Sequence, residues 1–171
     1  HAKTIALDLR VILDDGTLVD VEMQARLLVH NRERFLYYSA REYAAQLGEG
    51  EDYGRLHPAV SVLWLGESMF PELDQLHSVF ELRERQTGAL YSEHMELHVL
   101  QLAKLPFARQ DEAQLQRWAR FLAAQSDAEY AALARENPVM AHATQALDAL
   151  SEDPETQRLA RDRADSEKLY A

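Results

Sequence analysis

The spacing of apolar positions changes early in the chain from two-residue alternation to a helical period. Residues 5–13 and 17–25 alternate apolar and polar side chains, which predicts two strands joined by a turn. Residues 30–49 carry apolar and aromatic side chains at helical spacing, and this pattern ends near Gly48 and Gly50. The pattern therefore predicts a β-hairpin followed by a helix.

Three further strands are predicted in the middle of the chain. The apolar run 59–65 is typical of a buried strand, and residues 77–85 and 94–105 alternate well enough to form two more. Residues 66–75 contain Pro71 and are predicted to form a loop. We therefore expect an α/β fold of the α+β kind, built around a mixed sheet.

Beyond residue 105 the strand patterns stop and helical ones replace them. Helices are predicted over 110–125, over 127–136, from Pro138 onward and, after a break at 151–154, to the end of the chain. In the first of these helices the side chains expected to face inward are Leu115, Trp118 and Leu122.

The change of pattern predicts two regions. Residues 1–105 would form the α/β core, and residues 106–171 an all-helical C-terminal extension packed on that core. The full length of 171 residues is enough for one domain with a substantial core.

Composition restricts the location and chemistry of the protein. There is no cysteine, which excludes disulfides and thiolate chemistry and fits a reducing cytoplasm. No apolar run approaches the roughly 20 residues that span a bilayer, and the start has no signal peptide of the usual form. We expect a cytoplasmic protein without a membrane partner. Because the first residue is His1, we also expect a fragment, a processed product or a tagged chain.

Charge is distributed unevenly along the chain. The formal net charge of −11 argues against tight nonspecific binding to nucleic acid. Between residues 26 and 41, however, only Glu33 opposes four arginines and His30. The arginines of this locally basic stretch are Arg26, Arg32, Arg34 and Arg41. A solvated helix face is the simplest interpretation of the stretch.

Two turns are compatible with the hairpin sequence. A two-residue turn at Asp15-Gly16 is one option. The other is a three-residue loop with Gly16 in the left-handed conformation, which sets Leu13 opposite Thr17. The hydrophobic pattern selects the second, because only that register collects the apolar side chains of both strands on one face.

The polar face of the hairpin then brings two acids together. Asp8 stands opposite Glu22, and directly opposed Cβ atoms lie about 4.5–5.5 Å apart. Like charges in that position destabilise a sheet, and covering them adds a desolvation cost. A hard divalent cation removes both penalties, since Mg²⁺ binds through one or two carboxylates and takes further ligands from water and phosphate. A solvated face without a metal remains the alternative.

The hairpin and the segments after it resemble a nuclease family. An Asp on one strand, then Glu-x-Lys on the next strand, then a helix is the motif of PD-(D/E)XK nucleases, and here Asp8 precedes Glu22-Met23-Gln24. The stretches "DGTLVDVEMQ" and "RFLYYSAREYAAQLGEGEDYGRLHPAVSVLWL" look like the PD-(D/E)XK nuclease family transposases, also called recombination-promoting nucleases. The matching positions are Arg34, Tyr37, Tyr38, Gln46, Leu47, Gly50, Tyr53, Pro58 and Val60. With "HSVFELRE", "ELHVLQLAKLP" and the helical tail, the resemblance covers nearly the whole chain.

The resemblance implies roles for individual residues. Asp8 and Glu22 would bind a divalent metal, Mg²⁺ or another such as Mn²⁺, and with Gln24 they would form the catalytic set. Gln24 occupies the position of the motif's lysine, so it could orient a water but could not neutralise charge, which favours a slow enzyme. Arg34 and Gln46 are candidate substrate contacts. The fold expected is a restriction-endonuclease-like core that lacks its first helix and strand, because the chain enters directly at the strand bearing Asp8.

Two functions from different classes are compatible with these residues. The first is a magnesium-dependent DNA endonuclease, a hydrolase of phosphodiester bonds associated with recombination or transposition, with DNA as its partner and a homodimer as one form of assembly. The second is a catalytically inactive module that keeps the fold and binds partners through its helical tail. The acidic net charge, Gln24 and the absent N-terminal elements favour the second.

Other side chains of the basic stretch and the histidines carry weaker predictions. We expect Tyr38 and Tyr43 to pack in the core, with stacking as the alternative for Tyr38. Arg34 could contact a phosphate or form a structural salt bridge. "HMELH", residues 94–98, resembles a zinc-protease motif, but its Glu comes third and the surrounding pattern predicts a strand. A strand would hold His94 and His98 about 13 Å apart, so we do not expect a shared metal there.

Overall fold

The computed structural model describes residues 8–107, 113–154 and 158, and for Asp8 it describes the backbone alone. These residues belong to two compact units, an N-terminal unit that ends at Phe107 and a C-terminal unit that comes after it. The N-terminal unit contains every strand of the described part of the chain, and the C-terminal unit is helical.

The hairpin has the predicted register. Strand β1 (Asp8–Ile12) pairs antiparallel with β2 (Leu18–Gln24), so that Asp8 faces Glu22. The three-residue loop is confirmed by the hydrogen bond from Leu13 N to Thr17 O, 2.9 Å, and by the φ angle of Gly16, +88°. A Cβ atom at Gly16 would also lie 2.3 Å from the His57 ring, so both backbone conformation and space require glycine there.

A mixed five-stranded sheet forms the centre of the N-terminal unit. Its order is β1-β2-β3-β5-β4, where β3 is Ala59–Leu65, β4 is His77–Glu81 and β5 is Met95–Gln101. Strand β3 runs parallel to both β2 and β5, and β4 is antiparallel to β5. The predicted α+β mixed sheet is confirmed and is consistent with a PD-(D/E)XK nuclease fold. Strands β4 and β5 both end earlier than predicted. Strand β5 ends at Gln101 because Leu102–Phe107 form a 3₁₀ helix.

Helix α1 (Asn31–Ala44) covers one face of this sheet. Its side chains Phe35 and Ser39 are buried, and the hydroxyl of Ser39 lies 2.6 Å from that of Ser61 on β3. The apolar core between helix and sheet consists of Phe35, Leu63, Leu65, Met69 and Val99. Tyr38 was predicted to pack in the core, and this is wrong, because its ring is 38% exposed on the uncovered side of the helix. Tyr43, predicted in the same way, is partly buried and its hydroxyl contacts His94.

The C-terminal unit contains α2 (Ala113–Ala123), α3 (Asp127–Glu136) and α4 (Pro138–Glu152). Helix α3 begins with a capping box, in which Ser126 and Glu129 exchange hydrogen bonds with each other's backbone. The buried cluster of this unit consists of Phe121, Ala124, Tyr130, Leu133 and Met140.

The buried side of α2 differs from the prediction. Trp118 was expected to face inward, but the buried side chains of α2 are Ala119 and Phe121, and the indole lies half-exposed beside the Phe121 ring. The helix predicted after residue 154 lies outside the described residues, except for residue 158. None of the described helices combines the length and apolar character needed to cross a membrane.

Candidate active site

The acidic face of the hairpin is the face that α1 covers. The parallel register sets Asp20 beside Ser61, Glu22 beside Leu63 and Gln24 beside Leu65. Ser61, Leu63 and Leu65 contact α1 or belong to the core beneath it, so their neighbours on β2 point to the same side. The acids of β2 are therefore held between sheet and helix and not on a fully solvated surface.

Glu22 combines partial burial with a charged partner. Its side chain is only 13% exposed, and its carboxylate accepts a hydrogen bond of 2.8 Å from Nη2 of Arg34 on α1. On the neighbouring strand the backbone of Asp8 lies directly opposite, as the register predicted, while the Asp8 side chain is outside the described structure. Arg34 thus provides the salt bridge that the sequence left open, and its partner is one of the two predicted metal ligands.

Gln24 is buried, yet its side-chain amide is not engaged. The residue is 3% exposed. Within the described part of the chain its carboxamide makes no hydrogen bond, and it is not among the fully buried polar groups that lack a partner. Its backbone carbonyl accepts a 2.9 Å hydrogen bond from Gly66, where a Cβ atom would lie 2.4 Å from the carbonyl oxygen of Ala25. The end of β2 is therefore fixed in place while the polar group of Gln24 stays open to a ligand.

The outward side of α1 carries arginines and tyrosines next to Glu22. The guanidinium carbons of Arg34 and Arg41 lie over the ring of Tyr38, at 5.8 and 5.4 Å from its centroid. The ring of Tyr37 meets that of Tyr38 edge-on at 5.6 Å. The basic stretch predicted from the sequence therefore forms, in part, an ordered cation–aromatic surface on the helix.

Gln46 lies away from this group. Its side-chain nitrogen donates to the carbonyl of His57 and its side-chain oxygen accepts from the His57 amide, each at 2.9 Å. His57 precedes Leu63, the β3 neighbour of Glu22, by six residues, which is about 20 Å of extended chain. The structure brings Asp8, Glu22, Gln24 and Arg34 to one end of the hairpin and does not bring Gln46 to it.

Gln101, at the end of β5, has a role that sequence reasoning missed. It is fully buried, and its side-chain oxygen accepts hydrogen bonds from Phe70 N at 2.8 Å and from the Ser68 hydroxyl at 3.1 Å. It therefore holds the loop that comes after β3. The available signal was a glutamine directly after the apolar pair Val99-Leu100, where an unpaired amide would be costly.

A cavity lies where this loop approaches the start of α1. Its volume is about 300 Å³, and its lining includes Leu27, Asn31, Ser68 and Met69. The carboxamide of Asn31 is buried and has no hydrogen-bond partner within the residues described. Like Gln24, Asn31 keeps an unengaged polar group near the carboxyl ends of β2 and β3.

Histidines do not add ligands to this site. In the "HMELH" stretch, His94 contacts the Tyr43 hydroxyl at 3.0 Å, whereas His98 contacts His77 and Glu96 at 2.9 and 3.0 Å. Met95–Gln101 form a strand, as the pattern predicted. Across residues 8–107 and 113–154, leaving aside the side chain of Asp8, no three His, Cys, Asp or Glu side chains are grouped so that they could hold a metal ion.

Comparison with known proteins gives one match. The family described as "PD-(D/E)XK nuclease family transposase" matches residues 1–169 of the chain, which confirms the resemblance found in its motifs. None of the curated proteins and none of the solved structures matches the chain.

Proposed function

The chain belongs to the PD-(D/E)XK nuclease family transposases, and from that membership we propose that it is a metal-dependent DNA endonuclease acting in recombination or transposition. The observation that carries the proposal is the hairpin register, which opposes Asp8 and Glu22 at the backbone. Two residues further along the same face, Gln24 presents an unengaged amide. Three residues of the family motif thus share one end of the hairpin.

The chemistry of these donors fits a hard divalent cation. Two carboxylates with an open coordination sphere are the typical protein contribution to a Mg²⁺ or Mn²⁺ site that also takes water and phosphate oxygens. Asp8 and Glu22 would hold the ion, and Arg34 already balances one of their two charges. When bound, such an ion would lower the pKa of a coordinated water and neutralise charge developing on phosphorus.

The remaining residues of the site would position water and substrate. The Gln24 amide can accept a hydrogen bond from water and donate one to a phosphoryl oxygen, but it carries no charge. Arg34 has donors beyond the one bonded to Glu22, and its guanidinium is permanently charged. We propose that Arg34 supplies, from α1, the positive charge that the motif's lysine supplies elsewhere in this class of nucleases.

A second candidate function is a catalytically inactive interaction module with the same fold. The Glu22–Arg34 salt bridge favours it, because this contact neutralises Glu22 without any metal. The net charge of −11 favours it as well, since a DNA-binding protein more often carries a basic surface.

Plasmid nicking by the full chain over a Mg²⁺ titration separates the two. We expect nicking that depends on Mg²⁺ and is lost in Asp8→Ala and in Glu22→Ala. Asp74→Ala and Glu93→Ala are matched controls, because both residues are exposed acids outside the site. If no Mg²⁺ concentration produces nicking, or if all four variants retain it, the endonuclease proposal fails.

A further inference from the structure

Four side chains form an exposed stripe along α1. Residues at positions i, i+3, i+4 and i+7 lie on one side of a helix, and here they are Arg34, Tyr37, Tyr38 and Arg41, which we call the Arg-Tyr stripe. Tyr37 is 61% exposed and Tyr38 is 38% exposed. The stripe is therefore a solvent-facing aromatic surface with an arginine at each end.

The two tyrosines of the stripe are not required to hold the helix in place. Phe35 and Ser39 attach α1 to the sheet from its opposite side, and Tyr43 reaches His94. Two large aromatic rings left in solvent therefore call for an explanation other than packing.

The two arginines of the stripe differ in how their charge is used. Arg34 is paired with Glu22, whereas Arg41 has neither an ion pair nor a hydrogen bond from its side chain to any described residue. Arg41 is instead held over the ring of Tyr38. An exposed guanidinium supported by an aromatic ring keeps its donors available for an anion.

We propose that the Arg-Tyr stripe binds single-stranded DNA, with Tyr37 stacking on an unpaired base and Arg41 binding a backbone phosphate. Proteins usually bind single-stranded nucleic acid through aromatic side chains flanked by cations. Each unpaired base offers a face that can stack on an aromatic ring, and each phosphodiester group carries a negative charge. In a duplex the base faces are already covered. The inference rests on the proposed function, since Arg34 joins the stripe to the Glu22 site, and it names unpaired DNA beside the cut as the substrate class.

The overall charge of the chain restricts where such a contact could form. A net charge of −11 repels a polyanion. DNA can then bind only where cations gather, and stacking adds affinity that does not depend on charge. Tyr37 is uncharged and only two arginines flank the tyrosines, so we expect the stripe to bind a short single-stranded segment more tightly than a long duplex.

The test is fluorescence anisotropy of a labelled single-stranded oligonucleotide with the full chain in EDTA, so that no cleavage occurs. We expect Tyr37→Ala to weaken binding about 5- to 150-fold, as loss of one stacked base does, without changing the salt dependence. Tyr37→Phe should bind like the unaltered chain. Arg41→Ala should weaken binding and make the slope of log K against log salt shallower by about 0.7.

Matched controls come from elsewhere on the N-terminal unit. Tyr91 is 80% exposed and Arg85 is exposed, so Tyr91→Ala and Arg85→Ala remove the same side chains from other parts of the surface. The inference is overturned if Tyr37→Ala and Arg41→Ala bind as well as the unaltered chain, which is also the result expected if the stripe serves a protein partner. Equal weakening in the controls, or tighter binding of a matched duplex than of the single strand, overturns it too.

The outcome is separable from that of the nicking assay. Loss of single-strand binding in the stripe variants, in a chain that never nicks, supports the inference and refutes the endonuclease. Mg²⁺-dependent nicking by a chain whose stripe variants bind normally refutes the inference and leaves the endonuclease standing.

Discussion

The glutamines that end β2 and β5 lie in register on either side of Leu65, and their side chains differ in their hydrogen bonding. Gln24 is 3% exposed and Gln101 is fully buried. The Gln101 carboxamide holds the loop after β3 through Ser68 and Phe70. The Gln24 carboxamide makes no hydrogen bond with the part of the chain that is described.

This difference separates a structural amide from a candidate catalytic one. A buried amide that is hydrogen-bonded to the protein stabilises the fold, whereas an amide that makes no such bond remains available to water or a ligand. The amide without a hydrogen bond is that of Gln24, which lies on the same strand as Glu22 and at the lysine position of the PD-(D/E)XK motif. Four substitutions test the comparison, given in order of decreasing effect on the free energy of unfolding.

Gln101→Ala should destabilise the protein most, by about 2–4 kcal/mol. It leaves the partly buried Phe70 amide without its acceptor and removes a fully buried side chain between β5 and the loop. Urea denaturation measures the change, and Gln75→Ala, an exposed glutamine in the next loop, is the control. A loss below about 1 kcal/mol would mean that the loop finds other partners and that Gln101 is no structural anchor.

Gly66→Ala should cost about 1–3 kcal/mol, because a Cβ atom there meets a backbone carbonyl, which cannot move aside as a side chain would. The contact is with Ala25, the residue after Gln24. At Gly48, by contrast, a Cβ atom would come no closer than 3.5 Å to the Glu51 side chain. Gly48→Ala is thus the matched control, and similar melting temperatures for the two variants would show that the end of β2 is not held rigidly.

Gln46→Ala should cost about 1 kcal/mol, since it removes two partly solvated hydrogen bonds to the His57 backbone. Nicking per folded molecule should stay unchanged, because Gln46 lies at the far end of β3 from Glu22. Gln86→Ala, at an exposed position, controls for loss of the side chain alone. Reduced nicking at full stability would instead restore Gln46 as the substrate contact that the family resemblance implied.

Local patterns predicted most of the fold. Alternation and the need for glycine at position 16 set the hairpin register, and a mainly apolar run matched β3 residue for residue. Helix α3 also matched over Asp127–Glu136, because its capping residues lie within three positions of each other in the sequence. Each of these signals lies within a few residues of the structure that it predicts.

Polar contacts between distant segments could not be predicted in this way. Arg34 and Glu22 meet only because α1 packs across β2, and Gln46 meets His57 only because α1 ends beside the start of β3. The core position predicted for Tyr38 was wrong for a related reason. Helical spacing predicts which side chains share a side, but which side the sheet covers depends on the strands beneath it.

Gln24→Ala should have the smallest effect on stability, below about 1 kcal/mol, because it removes side-chain packing and no hydrogen bond within the described residues. Its effect on Mg²⁺-dependent nicking should be large, about 10- to 150-fold, the value of one hydrogen bond to a charged group in the transition state. Gln75→Ala controls both measurements. Because Gln24 and Gln101 are both buried neighbours of Leu65, burial alone would predict similar phenotypes for the two variants. If Gln24→Ala were as destabilising as Gln101→Ala and left nicking intact, both amides would be structural. Gln24 would then not belong to the catalytic set with Asp8 and Glu22.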